Sequence, residues 1–504
     1  MWNELVTTAL IGTERRAFTL DELPEALHEL AAQLEGQDSE RVLLTLAGTL
    51  ALYRRAGQTP QIDPLPLPDP CPPDALPYCS PRAGQILNQI LAISNYSQHL
   101  PVWIAAAYNA HQRITPEYLP RFLSSFEKNQ HLPDHFYDVL GARGRWLAQQ
   151  NPAWAYAVLP ENDAEWELAN IHARVHVLRQ LRASDPAHAR ALVESVWSSE
   201  KAETRAALLG AYEIDLNLDD EPLLETALDD RAEAVRKVAA WLLARLAGSA
   251  YQQRMIARAQ LLIHVKRGQK LIGSKLEIEI TLPDAYDESM IRDGIPAEAP
   301  QGSNLPDRVY WLANLAARLP ASYWLSDDWS ARELVEAVNT NHNWRGILLD
   351  CLVQMAERED QHDFADALLD TEIENAAMYS ALRAASPAAR EAYALEVLQP
   401  DMIKDTEALK RLSMLGRVGH QWSTALTRAF LAMARKEIKA SAGVSTPAAS
   451  YLPQYVMHIP LACIEDLRAS ESADEQKVPL WSRAVKQAIA MLEFRQKMLK
   501  EFSK

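Results

Sequence analysis

Four arginines recur at a constant spacing of 31 residues: Arg143, Arg174, Arg205 and Arg236. Each is followed three and four places later by a pair of residues able to pack: Trp146 and Leu147, Val177 and Leu178, Leu208 and Leu209, Ala239 and Ala240. A fixed period of this size marks stacked helix pairs, in which no unit buries its apolar face alone. In each unit one helix carries the arginine, a turn follows, and a second helix returns. Asn151-Pro152 and Asp185-Pro186 each place a capping residue before a proline at the first helical position. The arginine helix of the last unit is predicted over 232–246. Its apolar stripe is Val235, Val238, Ala239, Leu242, Leu243 and Leu246.

The remainder of the 504 residues divides around this region. Residues 1–59 are predicted to be N-terminal helices, ending near Gly57. Residues 60–84 form a proline-rich connector, with Pro60, Pro64, Pro66, Pro68, Pro70, Pro72, Pro73, Pro77 and Pro81 excluding helix. The repeat region is assigned to 85–258. A β-hairpin and loop insert follows over 259–306. Its best strand, Lys275 to Leu282, alternates polar and apolar residues. Leu261 to Val265 is the candidate partner strand. Lys266-Arg267-Gly268-Gln269 and Ile272-Gly273-Ser274 are the candidate turns. Residues 307–504 return to helix as a C-terminal lobe.

Composition narrows the function class. A hydrophobic content of 48% excludes wholesale disorder. A net charge of −16 argues against a surface that coats phosphate backbones, and favours steering of a basic partner. The four cysteines, Cys71, Cys79, Cys351 and Cys463, have neither disulfide-framework nor zinc-knuckle spacing. The absence of a signal-like start and of a long apolar run predicts a soluble cytoplasmic protein with no membrane association.

The run Asp229 to Ala240 resembles a HEAT-type repeat. In that pattern an aspartate at the inter-helix turn precedes a Val-Arg pair, and here Asp230 and Arg236 fit it. The resemblance implies a ladder of bonds between neighbouring units. The earlier units depart from it, with Tyr137, Leu168 and Ser199 at the aspartate position. The chain as a whole is similar to a bacterial family of unknown function. The shared segments are Thr8 to Arg16, Gly144 to Leu147 with Asn151-Pro152, Asp185-Pro186 with Ala189-Arg190, Asp220 to Glu225, and Arg292 to Ile295. Members of that family tend to be encoded beside a SWIM zinc-finger protein, a MoxR-type AAA+ ATPase and von Willebrand A-domain proteins. The resemblance implies a shared pathway and no particular activity.

Candidate chemistry is sparse. His172 and His176 stand at i and i+4, a zinc-hydrolase spacing, but Ala173 occupies the place of the general base in H-E-x-x-H. His131 and His135 repeat the spacing across Pro133. No P-loop, dinucleotide fingerprint or nucleophile elbow occurs. The pairs Asp219-Asp220, Asp229-Asp230 and Asp327-Asp328 are predicted to cap helices rather than hold a cation. The arginine column could grip carboxylates or phosphates, but bonding between units outweighs that use. Thirteen tryptophans belong mostly to packing, and any that line a concave face would be binding anchors.

The expectation is an all-α protein: an α-solenoid of HEAT-like helix pairs with a small β-hairpin insert and a second helical lobe. Its expected function is that of a non-enzymatic scaffold or adaptor without a cofactor. The family resemblance suggests the AAA+ ATPase or an A-domain protein as partner. A nucleic-acid-binding or repair protein is the first alternative, built on the arginine column with Arg145, Arg179, Arg182 and Arg190. A metal-dependent hydrolase at His172 and His176 is the second.

Overall fold

The computed structural model describes residues 2–16, 23–57, 68–128, 132–268, 275–300, 302, 305–371, 373, 375–398, 413–414, 416, 419–440, 447–471 and 479–503. Among these residues the chain is mostly helical, with one two-stranded antiparallel sheet. It divides into two compact units, Met1–Pro70 and Cys71–Lys504.

The first unit contains the helices Trp2–Ile11, His28–Leu34 and Ser39–Ala56. Asp38 caps the last of these by accepting the Arg41 N–H, and the Gly57 N–H closes it on the Tyr53 carbonyl. Leu43, Leu46 and Leu50 point into a small core with Leu5, Leu27 and Leu34, whereas Leu44 and Leu52 lie on the outer face.

The second unit begins in extended chain. Pro60, Pro64 and Pro66 lie outside the described residues, and no helix occupies 68–80. The Arg113 guanidinium lies 3.7 Å from the Tyr78 ring centre and donates to the Leu76 carbonyl at 2.6 Å. The segment is therefore fastened to the unit's own surface. Helix starts at Pro81, four residues inside the expected connector. Ser80 caps it, and a proline in the first turn gives up an N–H that has no helical partner anyway.

The expected arginine helices form at Phe136–Gln149, Ile171–Ser184, Ala202–Gly210 and Glu233–Arg245. Asn170 and Asp185 cap Ile171–Ser184 and Pro186–Val196 through their side-chain oxygens. Asn151-Pro152 starts a short 3-10 turn rather than an α-helix. Ile171–Ser184 packs on Pro186–Val196 and on Ala202–Gly210, which packs in turn on Glu233–Arg245.

The hairpin pairs Ile263–Gly268 with Lys275–Ile280, in register from Ile263 opposite Ile280 to Gly268 opposite Lys275. The partner strand runs past Val265 through the first candidate turn. Gln269 and the second candidate turn, Ile272-Gly273-Ser274, lie outside the described residues. The hairpin packs against the unit. Leu276 is buried, the Tyr323 hydroxyl donates to the Ile263 carbonyl at 2.8 Å, and Arg267 donates to the Asp328 carbonyl at 2.9 Å.

The described residues of 307–504 share a core with the earlier helices. One continuous apolar cluster runs from Trp166 to Leu492, spanning the expected repeat region, the hairpin and the later helices. A second cluster spans 79–157 and is completed by the final helix, Pro479–Lys500, through Met498. Phe494 stacks on Tyr96 at 4.2 Å, and Phe502 meets Trp103 edge-on at 5.4 Å. The helices of 307–504 are thus joined to the earlier ones at both ends. The cause is an amphipathic helix whose partners lie roughly 400 positions upstream, a distance that periodicity does not register. No described helix is long and apolar enough to cross a membrane.

Candidate functional site

The arginine register resolves into a ladder at its centre. Arg174 is buried over the Trp166 ring and pairs with Glu200 at 2.5 Å. Arg205, also buried, grips both oxygens of Asp230 at 2.8 and 3.0 Å and donates to the Glu200 carbonyl. Asp230 accepts the Ala232 N–H, and Arg236 donates to the Asp230 carbonyl at 2.7 Å. Burial alone would raise the Asp230 pKa. The Arg205 and Ala232 hydrogen bonds outweigh burial and hold it below its ordinary value. Glu200 takes the aspartate's part in the earlier step, one position later relative to its arginine than Asp230 is to Arg236. That shift hid it in the sequence. Arg143 stands apart, exposed, with its Nη1 3.4 Å from the Tyr78 hydroxyl. The four arginines therefore do not share one open face.

Three of the segments behind the family resemblance, Ala189-Arg190, Asp220 to Glu225 and Arg292 to Ile295, supply a second set of ion pairs. Asp220, which completes a capping box with Asn217, is gripped by Arg182 through both oxygens and by Arg190 at 2.9 Å. Glu221 accepts the Ala250 N–H, and Glu225 pairs with Arg254 and Arg292. Asp293, almost fully buried, pairs with Arg254 and Arg258 at 2.7 Å each. Arg292 reaches Asp229 at 2.8 Å. Asp219, Asp220, Asp229 and Asp230 thus serve mainly as ion-pair partners and only secondarily as caps. Arg182 and Arg190, expected to line a nucleic-acid groove, are committed to Asp220.

Arg236 lies at the edge of that network and faces a groove of about 890 Å³. Arg236, Lys237, Trp241 and Arg245 of Glu233–Arg245 form its wall. The opposite face, with Val235, Ala239, Leu242 and Leu243, is in the core. The floor is made of small residues. Ala240, Ala244 and Ala317 are buried there with Ile295. Gly294 has φ +80, and a side chain on it would stand 3.5 Å from Arg318 Nη2 and 3.6 Å from Ala240. Arg318, Arg358 and Arg383 complete the cationic lining.

The groove holds six cations against four carboxylates, the reverse of the chain's overall sign. Three carboxylates are already matched, in the pairs Lys237–Glu233, Arg245–Asp360 and Arg383–Glu357. Arg236 and Arg318 bond uncharged oxygens: the Asp230 carbonyl for Arg236, and the Asn314 and Gly294 carbonyls and the Asn314 side chain for Arg318. Arg358 donates to the Ala317 and Leu319 carbonyls and to Glu359, while its Nε is buried without a partner among the described residues. Burial lowers its pKa. Trp241 is 38% exposed on the wall, whereas Trp103, Trp166, Trp324 and Trp481 are fully buried. Lys237, Trp241 and Arg245 follow one another at i+4 on the side of the helix next to Arg236, a spacing readable in the sequence. Arg318, Arg358 and Arg383 come from later helices and carry no local signal.

His172 and His176 line a different groove of about 960 Å³ with His135. His172 is exposed. His176 is half-buried against the Tyr137 ring at 4.4 Å, and its Nε2 is buried without a partner among the described residues. Burial lowers the His176 pKa. His135 stacks on Tyr108 at 3.6 Å and lies 3.3 Å from Asp138. His131 lies outside the described residues. No group of three or more His, Cys, Asp and Glu side chains among the described residues could hold a metal ion.

The model of one protein family, described as a family of unknown function, matches residues 4–502 of the chain. No curated protein and no solved structure matches it.

Proposed function

We propose, for a chain that belongs to the family of unknown function DUF5691, that it is a non-enzymatic scaffold or adaptor built on a HEAT-like α-solenoid. The observation that carries this reading is the groove along Glu233–Arg245. It combines an exposed tryptophan, a floor of small residues and cations left without carboxylates. Protein-binding hot spots join an aromatic or arginine anchor to a pocket in this way. The bonds from Arg174 to Glu200 and from Arg205 to Asp230 support the HEAT-like description, since each ties an arginine to the turn of the next unit. The proposed setting is the cytoplasm, and the proposed partner is the MoxR-type AAA+ ATPase or a von Willebrand A-domain protein.

The test is purification of the tagged chain from its native host at low salt, followed by identification of what accompanies it. Stoichiometric recovery of one such protein is the expected result. Recovery of nucleic acid, or of a metal ion alone, overturns the reading.

A further inference from the structure

We infer that the groove along Glu233–Arg245 receives an acidic peptide segment of the partner, seating a carboxylate side chain between Arg236 and Arg318. The inference rests on the adaptor reading and adds the chemistry of what is bound. Net charge alone favours a basic partner, but charge at the groove points the other way. Three of its four carboxylates are paired with other cations, and Arg236 and Arg318 make no ion pair among the described residues, Arg236 acting on Glu233 only through space. A guanidinium held by carbonyls keeps its full charge and is already oriented, so a carboxylate adds a charge-assisted bond at little cost in order.

Size and lining select a peptide. Arg236 and Arg245 are nine residues apart on one helix, about 14 Å. About four residues of extended chain cover that distance. Ala240, Ala244 and Gly294 keep the floor low enough for a backbone to approach, and Trp241 offers an aromatic face to an apolar side chain. A nucleic-acid backbone fits less well. It places a charge at every step, and the groove's own carboxylates and the chain's −16 charge oppose a continuous polyanion.

The test uses the full chain and a fluorescein-labelled decapeptide of glutamate, leucine and glycine, read by anisotropy. The controls are the same peptide with glutamine for every glutamate, and a labelled ten-nucleotide oligothymidylate. The acidic peptide is expected to bind about ten-fold more tightly than its glutamine form, and to weaken as salt rises. Arg236→Gln should weaken it about ten-fold. Arg383→Glu, at a largely exposed rim position, should weaken it by a smaller factor while the melting temperature holds within a few degrees. Equal binding of the two peptides, tighter binding of the oligothymidylate, or unchanged affinity in both variants overturns the inference. Failure here separates from failure of the adaptor reading. A partner still recovered from the native host with Arg236→Gln and Arg383→Glu leaves the adaptor standing and removes this groove. Specific peptide binding with no protein partner recovered does the reverse.

Discussion

Arg182 holds Asp220 by two hydrogen bonds, at 2.8 and 2.7 Å, and neither side chain touches solvent. Arg182 also donates to the Ile214 and Asp215 carbonyls, and Asp220 accepts from Arg190 and from the Asn217 N–H. Removing one member strands the other's charge in a low-dielectric interior. Asp220→Asn or Arg182→Met is expected to cost about 3–5 kcal/mol. The double change Arg182→Met with Asp220→Asn should cost less than the sum of its parts. Urea unfolding of the four proteins measures this cycle. Single-variant losses under about 1 kcal/mol would show that the pair stabilises no more than a surface contact.

Acidification should weaken the fold before the carboxylates titrate. His99, His176 and His458 each have a lowered pKa, with burial as the largest cause. The folded state therefore favours their neutral forms. An unfolded histidine takes up a proton near pH 6.5. Stability is complete above that value and declines as pH falls from there toward the lower folded values. Urea midpoints at pH 7.5, 6.5 and 5.5 should fall in that order. A flat series would contradict the burial of these rings.

Gly141 should not tolerate a side chain. Its φ of 68° and ψ of 179° interrupt the Phe136–Gln149 helix. A Cβ would sit 2.4 Å from the Asp74 carboxylate, which accepts the Ala142 N–H at that kink. Gly141→Ala adds backbone strain of about 1–3 kcal/mol to that clash. A drop of several degrees in melting temperature is expected, with loss of the Asp74 contact. An unshifted transition would place the kink elsewhere.

Thiol reactivity should single out one cysteine. Cys79, Cys351 and Cys463 are buried, and burial pushes the first two up to about 11 and about 12 and raises the third. Cys71 is partly exposed. The thiolate is the reacting species, so a chromogenic disulfide reagent at pH 8 should modify Cys71 in the native protein. The other three should wait for denaturant. Rapid modification of two or more under native conditions would disprove this order.

Features set by nearest neighbours in the chain were legible in the sequence. Asp185 caps Pro186–Val196, and Asn151 the 3-10 turn after it, because a side-chain oxygen needs only the N–H groups two or three residues on. The Lys275–Ile280 strand followed from alternation alone. The ladder was half visible. Asp230 matched the expected position, whereas Glu200 sits one residue off it and reaches Arg174 all the same, because a glutamate is one methylene longer. The groove was the least legible feature. Arg236 was singled out for its period, but its surroundings depend on Arg318, Arg358 and Arg383, whose approach is decided by packing over more than 80 positions. Asp293 likewise fell within the expected loop insert, and it is a buried anchor for two arginines.

The stacking of Phe494 on Tyr96 joins positions made at opposite ends of synthesis of the second unit. Translation at about 5–20 residues per second leaves roughly 20–80 seconds between them. Until then Tyr96, His99 and Trp103 wait without the helix that covers them. A nascent chain stalled before residue 479 would expose that apolar surface to chaperones and proteases, whatever the quality of the helices already formed. For the second unit, the first helices to leave the ribosome are among the last to be finished.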